Sequence, residues 1–330
     1  MGCTKRPVDP LPQTVTNVNH TVKGEIKIDG SSTVYPISQR VSELFADEFP
    51  NVNIKVDFGG TSAGFRRLFR GEIDLADASR PIKNKELKSC QKTGCEFIEL
   101  PVAFDGLTIV INKRNDWVTQ LSIEELQAIF LADRAAKTWK DVRPEWPNEK
   151  IELYIPGHDS GTYDYFQSVV SGGRKLRDDA AYSEDDEILV KRIAERKHSL
   201  GFFGLAYYLK NKDSLQPVAI VNPESQKAIL PDTQSVADGT YAPFGRPLFV
   251  YVNKSKLQSP AVKSFVSFYL GQAEKVASEV GCVPLPSHLL ERSKQCLKQQ
   301  TGGTCFIDSD GEKRVGSLES IYQSQNRINE

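Results

Sequence analysis

An α/β fold is predicted by three features of the chain. Short stretches with apolar residues at every second position are followed by stretches with apolar residues at every third or fourth position, and this interchange repeats along the sequence. Period two marks a half-buried strand and period 3.6 a helix, so their regular succession is the pattern of an α/β protein. The third feature is the junctions, which mix glycine with serine and threonine.

In chain order, residues 24–30 alternate through Ile26 and Ile28 and predict a strand. Ile37, Val41, Leu44, Phe45 and Phe49 then recur at helical spacing, and Pro50-Asn51 ends that helix. Residues 52–58 alternate through Val52, Ile54, Val56 and Phe58, and Phe65, Leu68 and Phe69 begin the helix that follows. A strand-like run covers 73–76. A third alternating strand, through Ile151, Leu153 and Ile155, precedes a helix carrying Phe166, Val169 and Val170. No internal repeat is present.

Composition bounds the function. The 330 residues include 42 Lys and Arg against 43 Asp and Glu, with 39% hydrophobic and 26% charged residues. This is the make-up of a globular protein, and its length predicts two domains of roughly 100 to 200 residues. A net charge of -1 excludes the broad basic surface that nucleic-acid binding needs, so any bound anion must be held by local geometry. The longest apolar runs, 107–111 and 248–252, fall far short of the roughly 20 residues of a spanning helix. Met1 and Gly2 lead directly to Cys3 and then to a polar stretch rich in Pro and Thr. That arrangement is expected of a bacterial lipoprotein whose leader has been removed: Cys3 carries the lipid and 1–23 form a tether. The competing reading is a cysteine of no consequence.

Of the six cysteines, Cys90 and Cys95 bracket a short turn, as do Cys296 and Cys305, and each pair suits a small disulfide ring. Cys282 is then a buried thiol. Neither pair has zinc-ligand spacing, and none of the four histidines completes a metal set.

The junctions carry the chemistry. They are Asp29-Gly30-Ser31-Ser32-Thr33, Gly59-Gly60-Thr61-Ser62-Ala63-Gly64 and Asp159-Ser160-Gly161-Thr162. One such junction is most simply a helix cap. Three can surround a ligand, because strand-to-helix turns gather at the carboxyl edge of an open sheet, where helix starts offer unpaired N–H groups to an oxyanion. Arg80, held extended before Pro81 at a strand end, is the expected embedded cation; a surface arginine is the alternative.

Together with Ala78-Ser79-Arg80-Pro81 and Gly201-Phe202-Phe203-Gly204, these junctions resemble the phosphate-binding protein of the Pst-type ABC transporter, over roughly residues 24–286. The resemblance implies a type II periplasmic-binding-protein fold: two α/β lobes, each with a central mixed sheet, joined by a two-strand hinge. Lobe I is expected over 24–105 and 247–330, and lobe II over 106–246. It further implies inorganic phosphate and a membrane ABC permease as partners of a monomer that needs no cofactor and catalyses nothing. Carried over, Ser32, Thr33 and the backbone of Val34 hold the anion from the first helix, and Ser62 from the second. Ser160, Gly161 and Thr162 close on it from the other lobe.

Two departures stand out: Arg80 occupies the position of an Asp found in many relatives, and residues 154–159 lack the Arg often found before the Ser-Gly-Thr turn. Asp159 is the expected acceptor of the phosphate proton, or else a plain helix-start residue. His158 next to it either touches the ligand or lies on the lobe surface. Two other functions fit parts of the sequence. Gly60-Thr61-Ser62-Ala63-Gly64 matches a nucleophile elbow with Ser62 as nucleophile, although it comes early for a hydrolase sheet and lacks a histidine partner sequence. A binding or adhesion protein could use the same cleft without a transporter. Asp308-Ser309-Asp310-Gly311 lacks the later ligands of a calcium loop and reads as a hairpin turn, and Asn19-His20-Thr21 is a silent glycosylation match.

Overall fold

The computed structural model describes residue 19 and residues 21–172, 174–314 and 316–328. Cys3 and nearly all of the expected tether lie outside the described residues.

The first third of the chain forms β1 (Gly24–Gly30), α1 (Tyr35–Glu48), β2 (Val52–Val56), α2 (Thr61–Phe69), β3 (Leu75–Ala78), α3 (Asn84–Thr93) and β4 (Phe97–Asn112). The middle forms β5 (Gln120–Leu121), α4 (Ile123–Phe130), β6 (Glu152–Pro156), α5 (Gly161–Phe166), β7 (Ala181–Ser183), α6 (Asp186–Glu195), β8 (Ser199–Gly204) and α7 (Leu205–Lys210). Then come β9 (Leu215–Pro217), β10 (Ala219–Val221), β11 (Ala228–Ile229), α8 (Thr233–Ala237) and β12 (Gly245–Asn253). The last part holds α9 (Pro260–Val280), β13 (Val283–Pro284), α10 (Ser287–Gln299) and α11 (Leu318–Ile321). No described helix is long and apolar enough to cross a membrane.

β1 pairs in parallel with β2 and β3, and β6 in parallel with β7 and β8. Parallel pairing sends the crossover helices back over the sheet, so the starts of α1, α2 and α5 all emerge at carboxyl edges. The two parallel groups are joined through β4, a strand of 16 residues whose first part pairs antiparallel with β12 and whose second part pairs antiparallel with β8. Its order β2-β1-β3-β12-β4-β8-β6-β7 thus forms one continuous path.

The buried side chains divide where β4 and β12 pass Asp105 and Arg246, which lie opposite each other in the ladder. On one side, Ile26, Ile28, Val41, Phe45 and Val250 pack with Phe265 and Val266 of α9. Phe65, Leu68 and Phe249 pack there with Phe306 and Tyr322 near the chain end. On the other side, Leu107, Ile109, Phe130, Ile155, Phe166 and Phe202 form a separate core. Burying an apolar side chain of this size contributes about 1.5 to 3 kcal/mol, so each side is held by its own core.

Two cysteines correct an expectation. Cys296 and Cys305 are thiols where a disulfide was expected, and Cys282 is the buried thiol it was expected to be. No bond joins Cys296 to Cys305, because Cys305 Sγ faces the carbonyl of Gln323 at 3.4 Å while Cys296 accepts from Arg327 at 3.5 Å. Cys90 points its Sγ at the carbonyl of Cys95. Residues 308–311 form the turn between Ile307 and Lys313, which pair antiparallel, with Asp308 accepting from the N–H groups of Asp310 and Glu312.

Asp77, on β3, is fully buried, and neither carboxyl oxygen has a hydrogen-bond partner within bonding distance among the described residues; the nearby Ser38 hydroxyl lies 3.0 Å from Tyr269 Oη. Burial pushes its carboxyl from 3.8 up to about 8, opposed by Ser38 and reinforced by the charge on Asp29. The unfolded chain loses this proton near pH 4 and the folded chain keeps it to about pH 8, so the folded state binds more protons between them. Stability therefore falls across that window, by about 1.4 kcal/mol per pH unit from this group alone. Asp77→Asn is expected to flatten the decline and raise stability at pH 7.5. Denaturant midpoints measured at pH 5 and pH 8 check it, and parallel pH dependences for the two proteins would refute it.

Candidate anion-binding cleft

The turn before α1 is held by Ser31, whose carbonyl accepts from the N–H groups of Val34 and Tyr35 and whose hydroxyl accepts from Thr33 N at 3.2 Å. That turn leaves Thr33 Oγ1, fully buried, 3.1 Å from Thr162 Oγ1 at the start of α5, on the opposite side of the cleft. Ser160 caps α5 by accepting from the N–H groups of Thr162 and Tyr163 at 3.1 and 3.4 Å. At the start of α2, Thr61 Oγ1 lies 3.4 Å from Ser79 Oγ and accepts from Ser79 N. A Cβ on Gly161 would sit 2.5 Å from both of these hydroxyls, so Gly161 faces them directly. Thr33, Thr61, Ser79, Ser160, Gly161 and Thr162 thus meet in one buried cluster drawn from three helix starts and a strand end.

A cation closes the cluster from below. Arg246 is 1% exposed and Asp105 is wholly buried; the guanidinium donates through Nε and Nη2 to Asp105 Oδ2 at 3.1 and 2.9 Å. Nη2 also donates to Thr162 Oγ1 at 2.8 Å and lies 3.4 Å from Thr33 Oγ1. Asp105 is fixed in turn by the N–H of Leu205 at 2.9 Å. Arg246 Nη1 is buried and has no partner among the described residues. An unmade bond on a buried charged donor costs about 1 to 3 kcal/mol or more, which an anion in this space would recover.

The other residues singled out in the sequence lie around this cluster in different roles. Ser32 turns its hydroxyl to Asp186 at 3.1 Å and accepts at its carbonyl from Tyr207. The N–H of Val34 is engaged within its own turn. Ser62 accepts from Arg80 at 3.0 Å, and its N–H reaches the carbonyl of Asp159. Arg80 is buried, with its donors spent on Glu86, Asp164, Ser62 and the Pro81 carbonyl. Asp159 takes both oxygens to Arg66 at 3.0 and 2.9 Å, and that hydrogen bonding holds its carboxyl below the usual range. His158 is exposed and packs its ring against Tyr163 and Tyr182. No hydrogen bond joins Ser62 to a histidine, and no metal-binding cluster of acidic, His or Cys side chains forms, among the described residues. Arg246, Asp105 and Asp186 also stand at this cluster, outside the glycine-serine-threonine junctions. The signal available was two opposite charges, each flanking one of the long apolar runs.

This geometry has relatives. Residues 15–273 match the model of the PBP superfamily domain. Phosphate-binding protein PstS of Staphylococcus aureus is 38% identical over 293 residues, which are 88% of this chain and 86% of that protein. The chain belongs to the PstS family of phosphate-binding proteins. It is also similar to Protein SphX of Synechococcus elongatus, at 44% identity over 91% of this chain and 88% of that one. Among solved structures, a possible phosphate binding protein from Planctomyces limnophilus superposes with a TM-score of 0.63 at 37% identity, covering 85% of this chain and all of that one.

In this PstS-family chain the glycines do more than expected of them. Besides Gly161, a Cβ on Gly60, whose φ is 93°, would lie 2.7 Å from the Asp159 carbonyl, and one on Gly204 would lie 2.9 Å from Thr33 Cγ2. Each contact crosses the cleft. The missing side chains let the two walls approach each other, not only a ligand approach the main chain. Ion pairs also cross it: Arg80 and Lys83 both reach Asp164, at 2.8 and 2.6 Å, and Arg66 reaches Asp159. The pair of Arg66 is 54% exposed on the arginine side and contributes under about 1 kcal/mol, whereas the Arg80 pair is nearly dry.

Proposed function

We propose that this chain is an extracytoplasmic receptor that binds inorganic phosphate between two lobes and delivers it to a membrane ABC permease. One observation carries the reading: Arg246 Nη1, buried and without a partner among the described residues, beside hydroxyls contributed from both sides of the cleft. Lobe I comprises 24–105 and 247–330, lobe II comprises 106–246, and the hinge is the β4–β12 pair. Empty closure leaves that donor unsatisfied; closure on an anion satisfies it, so the ligand favours the closed arrangement by differential contact. The tether over 1–23 anchors the receptor through lipid on Cys3. The protein works as a monomer and catalyses nothing. Thr33, Ser160, Gly161 and Thr162 border the anion with Thr61, Ser79 and Arg246, while Ser32, Val34, Ser62 and Arg80 hold the walls in place.

The hydrogen-bond acceptor for the phosphate O–H in this reading is Asp186 in place of Asp159. Asp186 is buried across the cleft from Ser32, and burial pushes its carboxyl up to about 7 against the opposing effects of Ser32 and Arg246. As a carboxylate it accepts a hydrogen bond from the P–OH group of hydrogen phosphate, whereas sulfate has no O–H to donate. Calorimetric titration of dialysed protein is expected to show one phosphate per chain, with sulfate weaker by at least about a hundredfold. Asp186→Asn is expected to narrow that ratio. Absence of phosphate binding would overturn the receptor reading; an unchanged ratio would remove Asp186 from selection. Unimpaired phosphate uptake after deletion would favour a binding protein without a transporter.

A further inference from the structure

A second cavity, of about 210 Å³, lies between the same two walls but away from the anion cluster. Pro81 and Ile82 line it from the loop before α3 and Asn84 from the start of α3, Tyr165 and Ser168 from α5 and the turn after it, and Ile307 and Lys313 from the C-terminal hairpin. Its walls are mostly apolar, and a cavity of about 150 Å³ is enough to hold benzene. The charges at its edge do not balance. Arg80 and Lys83 share Asp164, and Glu86 is already bound to Arg80. Lys313 is an exposed residue, and its ammonium has no ion pair or hydrogen bond among the described residues. Partial desolvation of that ammonium against the cavity wall, and then the charge of Arg80, hold it below the usual lysine range. An anion is the group that this uncompensated lysine would stabilise.

We infer that the cavity between residues 80–84, Tyr165 and Lys313 binds a small aromatic monocarboxylate, its ring against Pro81, Ile82, Tyr165 and Ile307 and its carboxylate on Lys313. The inference rests on the proposed closure about the β4–β12 hinge, because the cavity exists only when both walls are apposed. A ligand there binds the closed form and not the open one. By linkage it strengthens phosphate binding, and phosphate strengthens its binding by the same factor. The site is therefore a positive effector site and not a second phosphate site.

The test uses benzoate. Phosphate is titrated calorimetrically into the full chain with and without sodium benzoate, chloride making up the ionic strength, and benzoate is titrated with and without saturating phosphate. Phosphate affinity is expected to rise about fivefold with benzoate, with reciprocal tightening of benzoate. Lys313→Met is expected to abolish the enhancement while leaving phosphate affinity alone unchanged, and Ser168→Trp, which fills the cavity mouth from an exposed position, should do the same. Benzoate that weakens phosphate binding occupies the anion cluster and overturns the inference. So does benzoate binding that is indifferent to phosphate, no benzoate binding, or an unaltered enhancement in Lys313→Met. Each of these leaves the receptor reading intact as long as phosphate itself binds; loss of phosphate binding in the unaltered protein overturns the receptor reading instead.

Discussion

Arg246→Met is expected to weaken phosphate binding by about 10²- to 10⁴-fold, the largest loss of any single substitution in the cleft. Hydrogen bonds to charged groups contribute about 1.5 to 3 kcal/mol each, and the two N–H groups of Arg246 Nη1, which has no partner among the described residues, can direct two of them at one anion while Nη2 stays on Asp105 and Thr162. At about 1.4 kcal/mol per decade, losing both gives the stated range. The substitution also strands Asp105, which is wholly buried, and breaking such a pair from one side costs about 3 to 5 kcal/mol of stability. A second variant separates the two effects. Arg246→Met combined with Asp105→Asn removes the stranded charge and keeps an acceptor for the Leu205 N–H, so stability recovers while binding does not. If the double variant regained phosphate affinity, Arg246 would be a structural residue only. Calorimetry and denaturant unfolding on the same preparations give the answer.

That residue shows what the sequence could reveal and what it could not. The strands and helices leading to the cleft were legible because their signals are local: Ile26 and Ile28 alternate on β1, Ile37, Val41 and Phe45 recur on α1, and Gly-Ser-Thr junctions punctuate the changes of period. Thr33 and Thr162, read from two such junctions, lie in contact although separated by 129 positions. Arg246 has no local signature. Its meaning comes from Asp105, 141 positions away, and from the ladder that sets them opposite each other. Arg80 illustrates the converse. Its neighbours Ser79 and Pro81 place it rightly at a strand end, but nothing in that tetrapeptide shows that Glu86 and Asp164 will absorb its donors. Likewise Asp159 looks available in sequence, while Arg66 on α2 meets it only because the walls are apposed. The short strands β5, β10 and β11, of two or three residues each, carry too little pattern to be read at all.

Gly161→Ala separates folding from closure, and it is expected to leave the first intact while preventing the second. Gly161 is the first residue of α5 and is absent from the residues with positive φ, so alanine can adopt its backbone without strain and is the better helix former. The three atoms nearest to the new methyl are Ser79 Oγ and Thr61 Oγ1 at 2.5 Å and Thr61 Cβ at 3.0 Å, all across the cleft and all buried. Heavy atoms do not approach so closely, and turning either hydroxyl away would break the contact between Thr61 and Ser79 and still leave Thr61 Cβ in the path of the methyl. The walls must therefore stop short, and the donors on the two sides no longer reach one anion together. Phosphate affinity is expected to fall at least about a hundredfold, which is the loss of two cross-cleft hydrogen bonds, with no fall in melting temperature. Gly271→Ala is the control. Gly271 lies within α9 with nothing inside 4 Å of its Cβ position, so that change should stabilise the fold by about 0.5 to 1 kcal/mol and leave phosphate binding as it was. Small-angle scattering with saturating phosphate supplies the independent readout: Gly161→Ala should keep the larger radius of the open form where the unaltered protein contracts. Contraction equal to that of the unaltered protein, or phosphate affinity within a few-fold of it, would mean that the close approach of Gly161 to Thr61 and Ser79 is not needed for closure.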